Sequence, residues 1–176
     1  MAENIVLDAI DVALLEQLQV DASRSNLDLA RKVHVSPPTC LRRVKRLREA
    51  GLITRQIALL DVDRLAHVVG HGLQAIVELT LERQGQDHVD AFEARAVADA
   101  AVQQCYRVSP GPDFVLVLYT SDMPGYLQVA QRLFTSDANV RNVKTFFSVK
   151  CGKFDPRIPL TGATPTSPAS SAAASR

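Results

Sequence analysis

Thr39, Arg42, Arg43, Lys45 and Arg46 lie within two turns of one segment, Ser36 to Gly51. Cations at that density suit a polyanion: guanidinium groups bind phosphates and guanine edges, and ammonium groups bind phosphates. The same segment carries Cys40, Val44 and Leu47 at helical spacing, which predicts one buried stripe backed by a basic face. Such a helix can be fixed to its domain on one side and enter a DNA major groove with the other. A solvated basic surface helix is the plainer alternative.

The ends of this helix are marked. Ser36 is a good N-cap, Pro37 fits the first helical position, and Gly51 suits the stop. Upstream, Leu7, Ile10, Leu14 and Leu18, with Leu15 beside them, predict a helix over Asp8–Leu18. Asp8 caps it, and Asp11 adds negative charge in its first turn. A short helix from Leu27 to Val33 follows, with Ser25 or Asn26 as cap and Leu29, Ala30 and Val33 inward. His34-Val35 is then the turn of a helix-turn-helix, with Leu27–Val33 as its first helix and the basic segment as its second. Leu52–Leu60 is rich in β-branched and aliphatic residues and predicts a strand, serving as a wing or linker. Asp61 to Val69 predicts one or two helical turns, ended by Gly70-His71-Gly72.

The second half alternates instead. Leu73–Leu81 predicts a strand with Leu73, Ala75, Val77, Leu79 and Leu81 on one face. A helix over Asp87–Ala98, capped by Asp87, has Val89, Phe92, Ala96 and Val97 inward. Strands follow at Val102–Val108 and at Phe114–Tyr119, the latter apolar enough to be buried on both sides. A helix over Met123–Phe134 points Leu127, Ala130, Leu133 and Phe134 inward, and Val140–Val149 closes the order βαββαβ. The fold class is therefore α+β: a winged helix-turn-helix followed by a ferredoxin-like sandwich. Two helices on one face of the sheet leave the other face apolar and open, which predicts self-association through it. The expected divisions are residues 1–60 for the DNA-binding domain, 61–72 for a linker, 73–154 for the sandwich, and 155–176 for a tail disordered beyond about residue 161.

Net charge is only +1 over 176 residues, but six basic residues face one acidic residue between Ser36 and Gln56. From Leu73 to Phe154 the balance is eight to nine, so the positive footprint is confined to one domain. No apolar run approaches the ~20 residues of a membrane span, and no secretory signal opens the chain. Three widely spaced cysteines, Cys40, Cys105 and Cys151, form neither a disulfide framework nor a zinc pattern, and a reducing cytoplasm is the simplest setting. Asp63, His67 and His71 have helical spacing, but the nearby glycines break the helix, so they read as linker residues and not metal ligands. No nucleophile triad, paired carboxylates or phosphate loop stands out, so neither an enzyme nor a bound cofactor is expected.

Taken together, Leu7-Asp8-Ala9-Ile10-Asp11, Ser36 to Val44 with Leu47, Ala50-Gly51-Leu52-Ile53, Cys105 to Ser109, Asp113-Phe114 and Ile158-Pro159-Leu160 resemble the Lrp/AsnC family of transcription regulators. The resemblance runs from about Leu7 to Leu160. It implies a DNA-binding regulator whose sheets pair into dimers and then octamers. It also implies an effector, usually an amino acid, held between dimers near the loop after the second strand and near the last strand. Ser36, Thr39, Arg42, Arg43, Lys45 and Arg46 are the expected DNA-binding residues. Ser109, Gly111, Asp113, Phe147 and Ser148 are the expected effector residues. The chain departs from the family in that loop: Pro110 stands where the family has Gly, and Pro112 follows Gly111. Two prolines stiffen the loop and remove two amide donors, so a rigid turn before a core strand is the alternative there. Fold alone also leaves a metabolite-binding or enzymatic sandwich with an incidental basic domain as a second reading.

Overall fold

The computed structural model describes residues 6–70 and 72–160. The chain divides into two compact units. One comprises the described residues up to Ala58 together with those from Phe154, and the other is Leu59–Lys153. His71 and the tail expected to be disordered lie outside the described residues.

In the first unit, α1 spans Ala9–Val20, α2 Asn26–Lys32 and α3 Pro37–Glu49. Each start is capped by the side chain before it: Asp8, Ser25 and Ser36. The turn between α2 and α3 uses His34 at φ 55°, with Val35 N–H donating to Ala30 O and His34 N–H to Arg31 O. These two bonds close a helix end around a left-handed residue. Gly51, at φ 73°, ends α3 the same way, with Leu52 N–H on Leu47 O. Leu14, Leu29, Ala30, Val33, Cys40, Val44 and Leu47 form the core.

One expectation fails here. Leu52–Leu60 joins no sheet among the described residues, so no wing forms. Ile53 packs against this core, while Leu52, Ile57, Leu59 and Leu60 stay exposed, and no strand among the described residues lies beside the stretch to complete a ladder. The described residues from Phe154 group with this unit. Gln19 Nε2 donates to Ile158 O (3.0 Å) while Ile158 N–H donates to Gln19 Oε1 (2.6 Å).

The second unit opens with α4, Val62–Val69, capped by Asp61. It continues as β1 Leu73–Leu81, α5 Gln86–Ala98, β2 Val102–Arg107, β3 Phe114–Thr120, α6 Met123–Ala130, a π-helical turn Gln131–Thr135, and β4 Val140–Phe147. The antiparallel sheet has the order β2-β3-β1-β4. Ala75, Val77, Leu79 and Leu81 on β1 and Phe114, Leu116 and Leu118 on β3 meet Phe92 and Ala96 of α5, Tyr126 and Val129 of α6, and Leu133 and Phe134 of the π turn.

Several details differ from the periodicity reading. Gly85, not Asp87, caps α5, and it makes no side-chain bond. Val97 and Leu127 point outward, because the inward stripes of α5 and α6 pass through Phe92 and Ala96 and through Tyr126 and Val129. β3 is buried on its helix side only; its other side is half-exposed. On that open face Phe146, Ile76 and Val117 form one row, and Lys144, Glu78, Val115 and Tyr106 the next.

Candidate nucleic-acid interface and effector loop

Cys40 and Leu47 are fully buried and Val44 nearly so, which fixes the azimuth of α3. The opposite face then exposes Arg42 and Lys45, with Ser36 at its N-terminal edge. Ser36 Oγ accepts from Thr39 N–H (3.4 Å) and shares a hydrogen bond with Thr39 Oγ1 (2.8 Å). Asn26 Nδ2 donates to Pro37 O (2.8 Å), tying the start of α3 to α2. Lys45 is exposed and only loosely paired with Glu49, at 3.6 Å.

Arg43 goes elsewhere. It lies beside the buried stripe, one residue from Val44, and its guanidinium turns towards α1. Nη1 donates to Asp8 Oδ2 (2.7 Å) and to Asp11 Oδ1 (2.8 Å), leaving the side chain 20% exposed. The expectation that Arg43 faces the groove is corrected accordingly. Arg46, half-exposed, donates through Nη2 to Asp11 Oδ2. Asp11 is fully buried and also accepts from Asp8 N–H, while Asp8 accepts from the N–H groups of Ile10 and Asp11. Burial works to raise the pKa of Asp8, but the Asp11 amide and the Arg43 guanidinium outweigh it and hold it below the usual carboxylate value. Arg43 Nε is buried without a partner.

Sequence reasoning took Asp11 for a helix-dipole charge and missed this cluster. The available signal was two acids three apart opposite two arginines three apart, which is faint because the pairs lie 32 to 35 residues apart.

The expected effector residues divide into two groups. Asp113 is already engaged: Oδ2 accepts from Leu81 N–H (2.7 Å) and Oδ1 from Gln84 Nε2 (3.0 Å). It seals the end of β1 and offers its carboxylate to the chain itself. Ser109-Pro110 is a cis peptide, and Gly111, at φ 126°, has open space where a Cβ would stand. Phe147 packs edge-on to Tyr126 at 5.0 Å, and Ser148 N–H donates to Gln74 O (2.9 Å). Phe114 pairs with Leu79 and Phe147 with Ala75, so the groups sit four residues apart along β1, about 13 Å at strand rise. One chain therefore does not bring them together. A groove of about 520 Å³, unforeseen from the sequence, runs between the α6 region and β4, where Tyr126 Oη and Thr145 Oγ1 meet at 2.7 Å. Cys40 and Cys105 have thiol pKa values pushed up by burial, the setting of packing residues and not of nucleophiles.

Residues 7–48 match the AsnC-type helix-turn-helix domain, and residues 74–158 the Lrp/AsnC ligand binding domain. The chain is 33% identical over 150 residues to the leucine-responsive regulatory protein of Rhizobium meliloti, covering 85% of this chain and 94% of that one. It is 36% identical over 143 residues to the protein of the same name from Haemophilus influenzae, covering 81% and 84%. The crystal structure of a transcriptional regulator from Neisseria meningitidis in complex with L-Met superposes with a TM-score of 0.76 at 27% identity, covering 88% of this chain and 97% of that one. An AsnC family regulator from Agrobacterium tumefaciens gives the same TM-score at 26% identity, with the same coverage. A capped basic helix held in a helix-turn-helix, joined to a four-stranded sandwich and matched along most of its length by named regulators, makes this chain a member of the Lrp/AsnC family of DNA-binding transcription regulators, and not an enzyme.

Proposed function

We propose that the protein is a cytoplasmic homo-oligomeric regulator that reads double-stranded DNA with α3 and answers to a small metabolite of amino-acid type. The observation that carries the reading is the two-sided character of α3. Cys40, Val44 and Leu47 are locked inside, and Arg42 and Lys45 are left outside. Thr39 and Arg42 contact base edges, while Ser36 and Lys45 contact phosphates. Arg46 reaches the DNA from its seat on Asp11, and Arg43 supports the helix from behind.

Self-association uses the open sheet face, where Ile76 and Phe146 are each more than 40% exposed beside Val117. Glu78 and Lys144, 4.0 Å apart, give that face a polar border. The effector site draws on Ser109 and Gly111 from one copy and on Phe147 and Ser148 from another, because these groups are remote within one chain. The amino-acid class of effector is supported by the ligand binding domain match and by the L-Met complex of the meningococcal relative. No helix among the described residues is long and apolar enough to cross a membrane, which fits work at DNA in the cytoplasm.

The test is fluorescence anisotropy on a duplex that the wild-type protein selects from a random library. Arg42→Ala weakens binding about tenfold or more and relaxes specificity at the base it contacts, while Lys45→Ala lowers the salt slope by about one unit. Unchanged affinity and slope would remove α3 from the interface. A thermal-shift screen of the twenty amino acids tests the sensing half, since a ligand of the native state raises the melting temperature.

A further inference from the structure

We propose that Asp11 is a positioning residue for DNA recognition, holding Arg46 in one orientation and withholding the charge of Arg43 from the polyanion. The inference rests on the reading of α3 as the groove helix. One fully buried carboxylate accepts from Asp8 N–H, Arg43 Nη1 and Arg46 Nη2. The same side chain therefore closes the N-terminal turn of α1 and grips α3 at two positions one turn apart.

Three observations separate this from an ordinary packing contact. Arg46 keeps 47% of its side chain exposed, and Asp11 is its one partner among the described residues. A guanidinium has five N–H donors in a rigid fork, so fixing one nitrogen aims the others outward. Second, Asp8 and Asp11 offset the charges of Arg43 and Arg46. The helix that meets DNA keeps only part of its formal charge for phosphates, which restrains binding to any sequence and leaves discrimination to base contacts. Third, the cluster is poorly arranged for stability alone. Arg43 Nε is buried without a partner, and apolar residues of similar volume commonly hold two helices as well as buried ion pairs do. A charged cluster in that place fits a gain in orientation.

The experiment measures affinity and salt slope on the selected duplex and on a scrambled duplex of equal composition. The proteins compared are wild type, Asp11→Asn, Arg46→Lys and Arg42→Ala. Asp11→Asn keeps the shape but removes the charge that holds Arg46, while Asp8 still pairs with Arg43. Scrambled-duplex binding strengthens, its slope steepens by about one unit, and the selected-to-scrambled ratio falls at least tenfold. A purely structural role would instead weaken both duplexes together and leave their ratio unchanged. Arg46→Lys keeps the charge but replaces the fork with a point ammonium, so the slope holds while the ratio falls. If circular dichroism shows Asp11→Asn unfolded, Arg46→Lys decides alone. An unchanged ratio in a folded Asp11→Asn, or in Arg46→Lys where the first does not fold, overturns the inference while the Arg42→Ala loss keeps the groove reading intact. No effect of Arg42→Ala on either duplex removes the groove reading and this inference with it.

Discussion

The two units hold themselves together differently. Among the described residues, the core of the sheet unit packs thirteen buried side chains, with Phe92, Phe114, Tyr126 and Phe134 among them, in one layer between sheet and helices. The described core of the helix-turn-helix unit has seven buried apolar side chains, none aromatic, and a charged cluster stands at the contact of α1 with α3. The apolar stripe fixes which face of α3 turns inward, but apolar contacts are non-directional and constrain its finer alignment less. Directional charge-assisted bonds supply the constraint instead. In the sheet unit the ladders and aromatic contacts already define the geometry; Arg107 with Asp90 is exposed on both sides, and of the two pairs only Arg132–Asp99, with its carboxylate nearly buried, resembles the α1–α3 cluster. The unit that must present side chains at fixed angles to a ligand is thus the one that places charge inside.

The sharpest way to break this contrast is to hollow each core. Phe92 is fully buried and its ring lies 4.9 Å from that of Phe114. Phe92→Ala lowers stability by about 4 kcal/mol, and Leu47→Ala, in the smaller core, by about 3 kcal/mol. Differential scanning calorimetry should assign each loss to a different transition, with DNA binding lost in Leu47→Ala. A single transition shifted equally by both variants would show that the units do not melt apart.

A smaller perturbation of the folded chain sharpens the surface half of the comparison. Ile76→Glu places a charge in the Phe146–Ile76–Val117 row and beside Glu78 on the open face. The variant keeps its fold by circular dichroism but shifts to the monomer in sedimentation velocity. An unchanged oligomer would send the interface elsewhere.

The smallest effect concerns pH. The Arg132 guanidinium holds the Asp99 carboxyl below its usual value, against the opposing effect of burial. A carboxyl harder to protonate in the folded state stabilises that state above the unfolded pKa, about 3.9. Its contribution is lost as pH falls through the lower folded value. Melting temperatures of wild type therefore drop more steeply below pH 4 than those of Asp99→Asn. Parallel curves would show that Asp99 adds nothing to acid sensitivity.

Much of the architecture was legible because its determinants are local. Ser36, Pro37 and Gly51 mark α3 through backbone geometry within one turn, and Cys40, Val44 and Leu47 declare its inner face through the helical period. Alternation along Leu73–Leu81 did the same for β1. The strand reading of Leu52–Leu60 failed because β composition supplies no partner, and a strand exists only when another backbone lies alongside. Arg43 and Asp113 had candidate roles that the folded chain reassigned, the first to Asp8 and Asp11, the second to Leu81 N–H. Their partners are about thirty residues away in sequence, and no periodicity encodes that distance. What a residue offers in charge and hydrogen bonding is written in its type; which neighbour takes up the offer was decided only when packing brought α1 against α3 and the β2–β3 loop against the end of β1. The reason is range: caps and stripes act within a turn, while ion pairs act through space across whatever the fold has placed together.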